Sequence, residues 1–242
     1  MKHQLRSAAG RVRRLPMVRR LERTARRRGY LKWRPLVSLE GFERSMDTAI
    51  AALGADTFRD GTYLEFGVSR GTSMLGAYQA FERAGVSPKM IGFDSFEGMP
   101  EGSEAEGWNA GEYASSQAAT TRYLKRGGMD MSRLTLVPGW FDDTLTSRTR
   151  ADLGISHAPI LMIDCDIFSA SKLALDFAYP LMANRTVIVF DDWGPMERLG
   201  KIGQKEAFAA FLEEHPELDA QPLSEYDFEG NPNGRVFLLE RS

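Results

Sequence analysis

Six short apolar runs, at Tyr63–Phe66, Met90–Asp94, Leu134–Val137, Ile160–Asp164, Val187–Phe190 and Val236–Leu239, alternate with amphipathic stretches near 72–84, 116–126, 171–182 and 203–214. This rhythm is that of repeated strand–helix–strand units, which build a mostly parallel sheet with helices on both faces. A continuous apolar run such as Ile160-Leu-Met-Ile163 suits a strand buried on both sides. A further short strand is expected near Leu218–Leu223. Phe42, Met46, Ile50 and Leu53 form the stripe of a helix over 39–53 that packs beside the sheet. The expected fold class is α/β, a doubly wound, Rossmann-like sheet.

Ligands of such sheets collect at the carboxyl ends of the strands. Glu65 lies near the first strand end, Asp94 closes the second, Gly139-Trp140-Phe141 follows the third, Asp164 closes the fourth and Asp191-Asp192 closes the fifth. Aspartate is a common turn former, so one such residue means little. Acids at four of five consecutive strand ends mark that edge as the place for chemistry.

Between the first strand and the next helix runs Gly67-Val-Ser-Arg-Gly71, followed by Thr72 and Ser73. Gly67 and Gly71 let the backbone turn and approach a ligand closely, and the free N–H groups of the helix start point into the same space. The loop is neither G-x-G-x-x-G nor a P-loop, because no Lys-Ser or Lys-Thr pair follows Gly71. A nucleoside without phosphates fits it better than a phosphorylated nucleotide, and Asp94 is placed to accept hydrogen bonds from ribose hydroxyls. Trp140 offers a flat face to an adenine-type ring, although simple core cover is as common a role.

The same loop spells the G-x-S-x-G of a hydrolase nucleophile elbow, with Ser69 as nucleophile. A serine triad needs a histidine at that edge, and the chain has only His3, His157 and His215. His157 precedes the fourth strand and belongs to the opposite edge, roughly 15 Å away at about 3.3 Å per residue. The triad is therefore set aside. Asp164, Asp191 and Asp192 are hard oxygen donors from two adjacent strand ends, a set that suits magnesium. The competing reading is that Asp191-Asp192 caps a turn and Asp166 is solvated. Cys165 reads as a packed strand-end residue. The polar stretch from Ser95 to Tyr113 is too long for a routine connection and reads as a lid or a disordered loop, from which Met99, Trp108 and Tyr113 could grip a substrate.

Charge divides the chain. Residues 1–35 hold 13 Lys or Arg against one acid, for +12, while the remaining 18 basic and 32 acidic residues give −14. The arm is an amphipathic basic extension kinked by Pro16, available to a neighbouring subunit or to an anionic membrane surface. Nucleic acid is not expected, since no aromatic interleaving accompanies the charge and the body is acidic. No apolar run approaches the ~20 residues of a spanning helix, and one cysteine in 242 residues excludes an internal disulfide. The expectation is a cytoplasmic protein with one domain over 36–242.

The strings YLEFGVSRGTSM, IGFDSFEGMPEG, GWFDDTL, LMIDCDIFSASK and VIVFDDW, with the later GQKEAF, resemble in order and spacing the macrocin O-methyltransferase (TylF/MycF-type) family of antibiotic-sugar enzymes. The resemblance spans roughly residues 60–212. It implies a class I S-adenosylmethionine-dependent methyltransferase domain, with seven strands of which the last is antiparallel. It also implies magnesium-dependent methylation of a hydroxyl on a small-molecule glycoside or sugar, by a homo-oligomer. By the same resemblance Glu65, Gly67, Ser69, Gly71, Thr72 and Ser73 hold the methionine portion of S-adenosylmethionine. Asp94 and Ser95 hold the ribose, and Trp140 lies near the adenine. Asp164, Asp191 and Asp192 are the metal ligands, with Asp164 also accepting the hydroxyl proton. Two departures stand out: Phe168 replaces a tyrosine, which is expected to alter substrate contacts, and Ala183-Asn184-Arg185 replaces a glycine turn at the far edge. Two other classes remain open: a nicotinamide oxidoreductase, whose phosphate-cradling loop is missing, and a catalytically silent cofactor-binding scaffold.

Overall fold

A computed structural model describes residues 39–194, 200–228 and 231–242; the basic arm lies outside the described residues. Seven strands form one sheet: β1 (Thr62–Phe66), β2 (Lys89–Asp94), β3 (Leu134–Pro138), β4 (Ile160–Ile163), β5 (Arg185–Phe190), β6 (Leu218–Phe228) and β7 (Asn231–Arg241). Their order is β3-β2-β1-β4-β5-β7-β6. Strands β1 to β5 pair in parallel, and β7 enters antiparallel between β5 and β6. The expected seven strands and antiparallel last strand are present. The helices given by the described residues are α1 (Leu39–Leu53), α2 (Thr72–Ala84), α3 (Gln117–Arg126), α4 (Phe141–Thr144), α5 (Ser147–Asp152), α6 (Phe168–Ala178) and α7 (Gln204–Glu214).

The period of two along each strand sorts side chains into two cores. Tyr63, Met90, Met162, Val187 and Val189 meet α1 and α2 on one face. Leu64, Phe66, Phe93, Ile163 and Phe190 meet α6 and α7 on the other. Helix α1 buries the stripe Phe42, Met46, Ala49, Ile50 and Leu53, and Phe42 sets its ring edge against Tyr226 of β6 at 5.8 Å. Each such fully buried side chain contributes about 1.5–3 kcal/mol relative to exposure. The alternation also sends Glu65 toward the α2 face with Tyr63.

Several element bounds differ from the sequence expectation. Helix α6 starts at Phe168 and gives way after Ala178 to a short 3-10 turn over Tyr179–Leu181, where Pro180 removes a backbone donor. Strand β6 runs 11 residues instead of six. A bulge between Pro222 and Ser224 breaks its alternation, and its place at the sheet edge tolerates the proline. Among the described residues no helix is long and apolar enough to cross a membrane.

Candidate active site

The loop after β1 is shaped by a close crossing. Gly67 has φ +94°, and a Cβ there would lie 1.8 Å from the Asp164 carbonyl oxygen, so β1 and β4 meet backbone to backbone. Ser69 follows at φ +44°, an uncommon conformation for a non-glycine residue, held from three sides. Its N–H donates to Asp94 Oδ2 at 2.7 Å, while its carbonyl accepts Ser115 Oγ and Thr120 Oγ1, each at 2.6 Å. Gly71 caps α2 against Leu124, and Thr72 and Ser73 open the helix with the unpaired N–H groups of a first turn.

Asp94 also accepts the Phe96 N–H at 2.5 Å. Burial raises its carboxyl above the ordinary range, and the N–H groups of Ser69, Phe96 and Val68 pull it back. Three N–H donors on about four lone-pair sites leave one for a ligand hydroxyl. Ser95 Oγ bonds Gly98 O at 3.3 Å and opens the lid. Trp140 starts α4, where its carbonyl accepts the Thr144 N–H and hydroxyl at 3.0 and 2.8 Å. A cavity of about 880 Å³ joins these parts: Gly67, Ser69, Thr72, Ser73, Asp94, Ser95, Trp140, Asp164, Asp191 and Asp192 all line it.

Glu65 does not reach that cavity. It is fully buried beneath the loop, accepting Tyr63 Oη at 2.7 Å and Ser73 Oγ at 2.9 Å. Burial raises its carboxyl to about 8 against the opposing pull of those two hydroxyls. Its contact with a ligand would run through Ser73. Phe168 also does not line the cavity and packs with the α6-side core.

The acids behave as a group. One oxygen each from Asp164, Asp191 and Asp192 lies within 4.8 Å of the others. Burial, then repulsion from neighbouring acids, lifts Asp164 and Asp192 well above the carboxylate range. Burial lifts Asp191 to about 6 and Asp166 to about 7. Asp166 is not merely solvated: it sits at φ +58° and its N–H donates to Asp192 Oδ2 at 3.2 Å. Asp191 accepts Tyr226 Oη at 2.6 Å, and its carbonyl accepts Asn233 Nδ2 at 2.6 Å. An all-oxygen donor set whose ionised forms are destabilised by burial and by one another fits a divalent cation of the magnesium type, which would stabilise those forms.

Residues Ser95–Tyr113 are a folded lid rather than a formless loop. Met99 and Glu112 pair through the Met99 N–H at 2.9 Å, and a Cβ on Gly98 (φ +86°) would stand 2.1 Å from the Glu112 carbonyl oxygen. Ser169 Oγ donates to Glu106 at 2.7 Å, and Lys201 Nζ donates to Gly107 O at 2.9 Å from 5.4 Å above the Trp108 ring. Met99, Trp108 and Tyr113 line the cavity.

Among the described residues, the hydrolase reading of Ser69 finds no histidine lining this cavity. His157 bonds Thr57 O at 3.0 Å at the opposite edge, and His215 stacks on Tyr179 at 3.7 Å. Cys165 lies 3.5 Å from Ser171 Oγ, and burial raises its thiol well above the usual value, which keeps it protonated.

A family model for macrocin O-methyltransferase (TylF) matches residues 17–227. The chain belongs to the macrocin O-methyltransferase family. The match begins inside the basic arm, upstream of the first motif that carried the resemblance. As an O-methyltransferase the chain is an enzyme of neither the hydrolase nor the oxidoreductase class. No curated protein matches it in sequence. Its fold is similar to that of the O-methyltransferase NovP, at 18% identity and a TM-score of 0.62 over 91% of this chain and 88% of that one. It is likewise similar to CalS11, a calicheamicin methyltransferase, at 20% identity and 0.59 over 81% and 77%. TomG from Streptomyces achromogenes, solved in complex with SAM, gives 13% and 0.55 over 82% and 80%.

Of the residues around this cavity and its acids, sequence reasoning did not single out Tyr63, Ser115, Thr120, Gln204, Tyr226 or Asn233 as functional. Gln204 had a signal, since it stands in the GQKEAF string. Tyr63 had one too, since it opens the YLEFGVSRGTSM string two residues before Glu65; the others are distant in sequence and act through tertiary contacts.

Proposed function

We propose that the protein transfers the methyl group of S-adenosylmethionine to a hydroxyl of a sugar or glycosylated metabolite, with a divalent cation held by Asp164, Asp191 and Asp192. The observation that carries this reading is the convergence of the clamped Gly67–Ser73 loop and the three acids on one cavity. The loop and the start of α2 would take the methionine carboxylate on N–H groups, Asp94 a ribose hydroxyl and Trp140 the adenine. A cation in the acid cluster, preferably Mg²⁺, supplies Lewis acidity that lowers the pKa of an acceptor hydroxyl.

Transfer breaks a carbon–sulfur bond and forms a carbon–oxygen bond, so the sulfonium becomes a neutral thioether and the hydroxyl gives up a proton. Asp164 is the group to take that proton, since it lines the cavity with an oxygen close to those of Asp191 and Asp192. The lid excludes water and orients the acceptor, and alignment provides much of the rate. Trp108 contributes an indole N–H that is buried without a hydrogen-bond partner among the described residues. A polyhydroxylated acceptor would satisfy it.

A SAM-consumption screen against glycosylated metabolites, with and without Mg²⁺, tests the reading. Asp191→Asn combined with Asp192→Asn is expected to abolish turnover while leaving SAM affinity nearly intact. Full activity in EDTA would overturn the cation requirement. The family resemblance adds a homo-oligomer; composition and charge add a cytoplasmic location, with the basic arm against a neighbouring subunit or an anionic membrane. Liposome co-sedimentation of a chain lacking residues 1–35 separates those two partners.

A further inference from the structure

Gln204, the first residue of α7, is fully buried and does not line the cavity. Its amide sits between the carboxyl ends of β4 and β5. The last backbone rung there is the Asp191 N–H donating to Ile163 O at 3.1 Å. Beyond it, Gln204 Oε1 accepts the Asp192 N–H at 2.9 Å, and Gln204 Nε2 donates to Ile163 O at 3.0 Å. The side chain thus acts as an added peptide group that extends the ladder by one rung. Its Nε2 also lies 3.3 Å from Asp192 Oδ2, a second and weaker hold on the carboxylate.

Both strand ends joined by this amide carry the acids. Asp164 follows Ile163 directly, and Asp191-Asp192 follows Phe190. Four carboxylates crowd this edge, and their mutual repulsion would splay the strands apart where the ladder ends. A neutral amide can bridge them without adding charge, and as donor and acceptor together it satisfies both strands at once. Its own position is fixed by α7, whose first turn is closed by Gly203 N–H donating to Glu206 Oε2 at 2.8 Å.

We propose that Gln204 is a positioning residue that sets the spacing of Asp164 and Asp192 for cation binding, by bridging the ends of β4 and β5. The inference rests on the proposed role of the acid cluster as a cation site. Outer contacts of this kind typically change metal affinity about 10- to 100-fold when removed.

The experiment titrates Mn²⁺ into the full chain by electron paramagnetic resonance, with SAM binding measured by calorimetry on the same samples. Gln204→Met keeps length and volume but loses every hydrogen bond of the bridge. Mn²⁺ affinity is expected to fall at least about tenfold, with SAM affinity within about twofold, since the bridge does not touch the Gly67–Ser73 loop. Gln204→Asn keeps an amide in the slot if the methionine variant does not fold. One methylene shorter, it cannot span both strands, and the same fall is expected. Unchanged Mn²⁺ affinity in the folded variant would show that Gln204 only packs, and joint loss of Mn²⁺ and SAM binding would show a general structural role. Either result overturns the inference. Absence of Mn²⁺ binding in the unsubstituted protein would instead overturn the cation site itself, and this inference with it.

Discussion

At the scale of single residues, Glu65 shows how burial converts a motif residue into a pH-dependent support. The alternation of β1 places it with Tyr63 under the α2 face, and both of its oxygens accept hydroxyl donors there. Its folded pKa of about 8 stands above the ordinary 4.5. The neutral form is therefore the one that folding favours. Its contribution is fully present below 4.5 and is lost as pH rises through about 8. Glu65→Gln holds the group neutral throughout. Relative to the unsubstituted protein its stability should rise across that interval by at most about 1.4 kcal/mol per pH unit, then level off. Urea unfolding at a series of pH values measures this, and a flat difference would contradict the buried, proton-holding assignment. The sequence made Glu65, Asp94 and the three other aspartates visible because a strand pattern fixes where its end lies. It could not show that Glu65 faces away from the cavity, since that depends on which face α2 covers.

At the scale of elements, the parallel core was legible because central strands such as Ile160–Ile163 and Arg185–Phe190 hold apolar runs and the longer helices keep an apolar stripe, whereas the short helices α4 and α5 carry no buried stripe and left no such signal. What escaped was set by tertiary contact. Strand β6 runs past its expected end because a bulge resets its register after Pro222, and a period-of-two reading stops at such a break. The lid was legible as a long polar insertion but not as a folded one. Its order comes from Met99–Glu112 pairing, from Ser169 on α6 and from Lys201 ahead of α7, all remote in sequence. Gly98 is the element's tightest backbone approach, with φ +86° and the Glu112 carbonyl oxygen where a Cβ would go. Gly98→Ala should open this pairing and loosen Met99, Trp108 and Tyr113 over the cavity. The expected result is a KM for the acceptor raised about tenfold or more, the scale of about 1.4 kcal/mol of lost binding, with SAM affinity little changed. Faster cleavage of the lid in limited proteolysis should accompany it. An unaltered acceptor KM would remove the lid from substrate binding.

For the whole molecule, the sheet that packs two apolar cores also gathers Asp164, Asp166, Asp191 and Asp192 at one edge, where like charges face one another. Arg70 is the one basic residue among the described residues lining the cavity. Folding without a cation therefore works against this repulsion, and a ligand that binds only the folded state recovers it by mass action. At a hundredfold excess over its dissociation constant a single Mg²⁺ would add about 2.7 kcal/mol. For a chain of this size that corresponds to roughly 5–10 °C in Tm. Differential scanning calorimetry with Mg²⁺, against potassium chloride of equal ionic strength, separates site binding from simple screening. The Asp191→Asn, Asp192→Asn double variant should start from a higher Tm in EDTA, because two of the opposed charges are gone, and should gain nothing from Mg²⁺. A variant that still responds like the unsubstituted protein would place the cation elsewhere, and equal shifts from potassium chloride and Mg²⁺ would reduce the cluster to an ordinary patch of negative charge. Stability thus reports on the acids independently of turnover, and it does so before any acceptor is known.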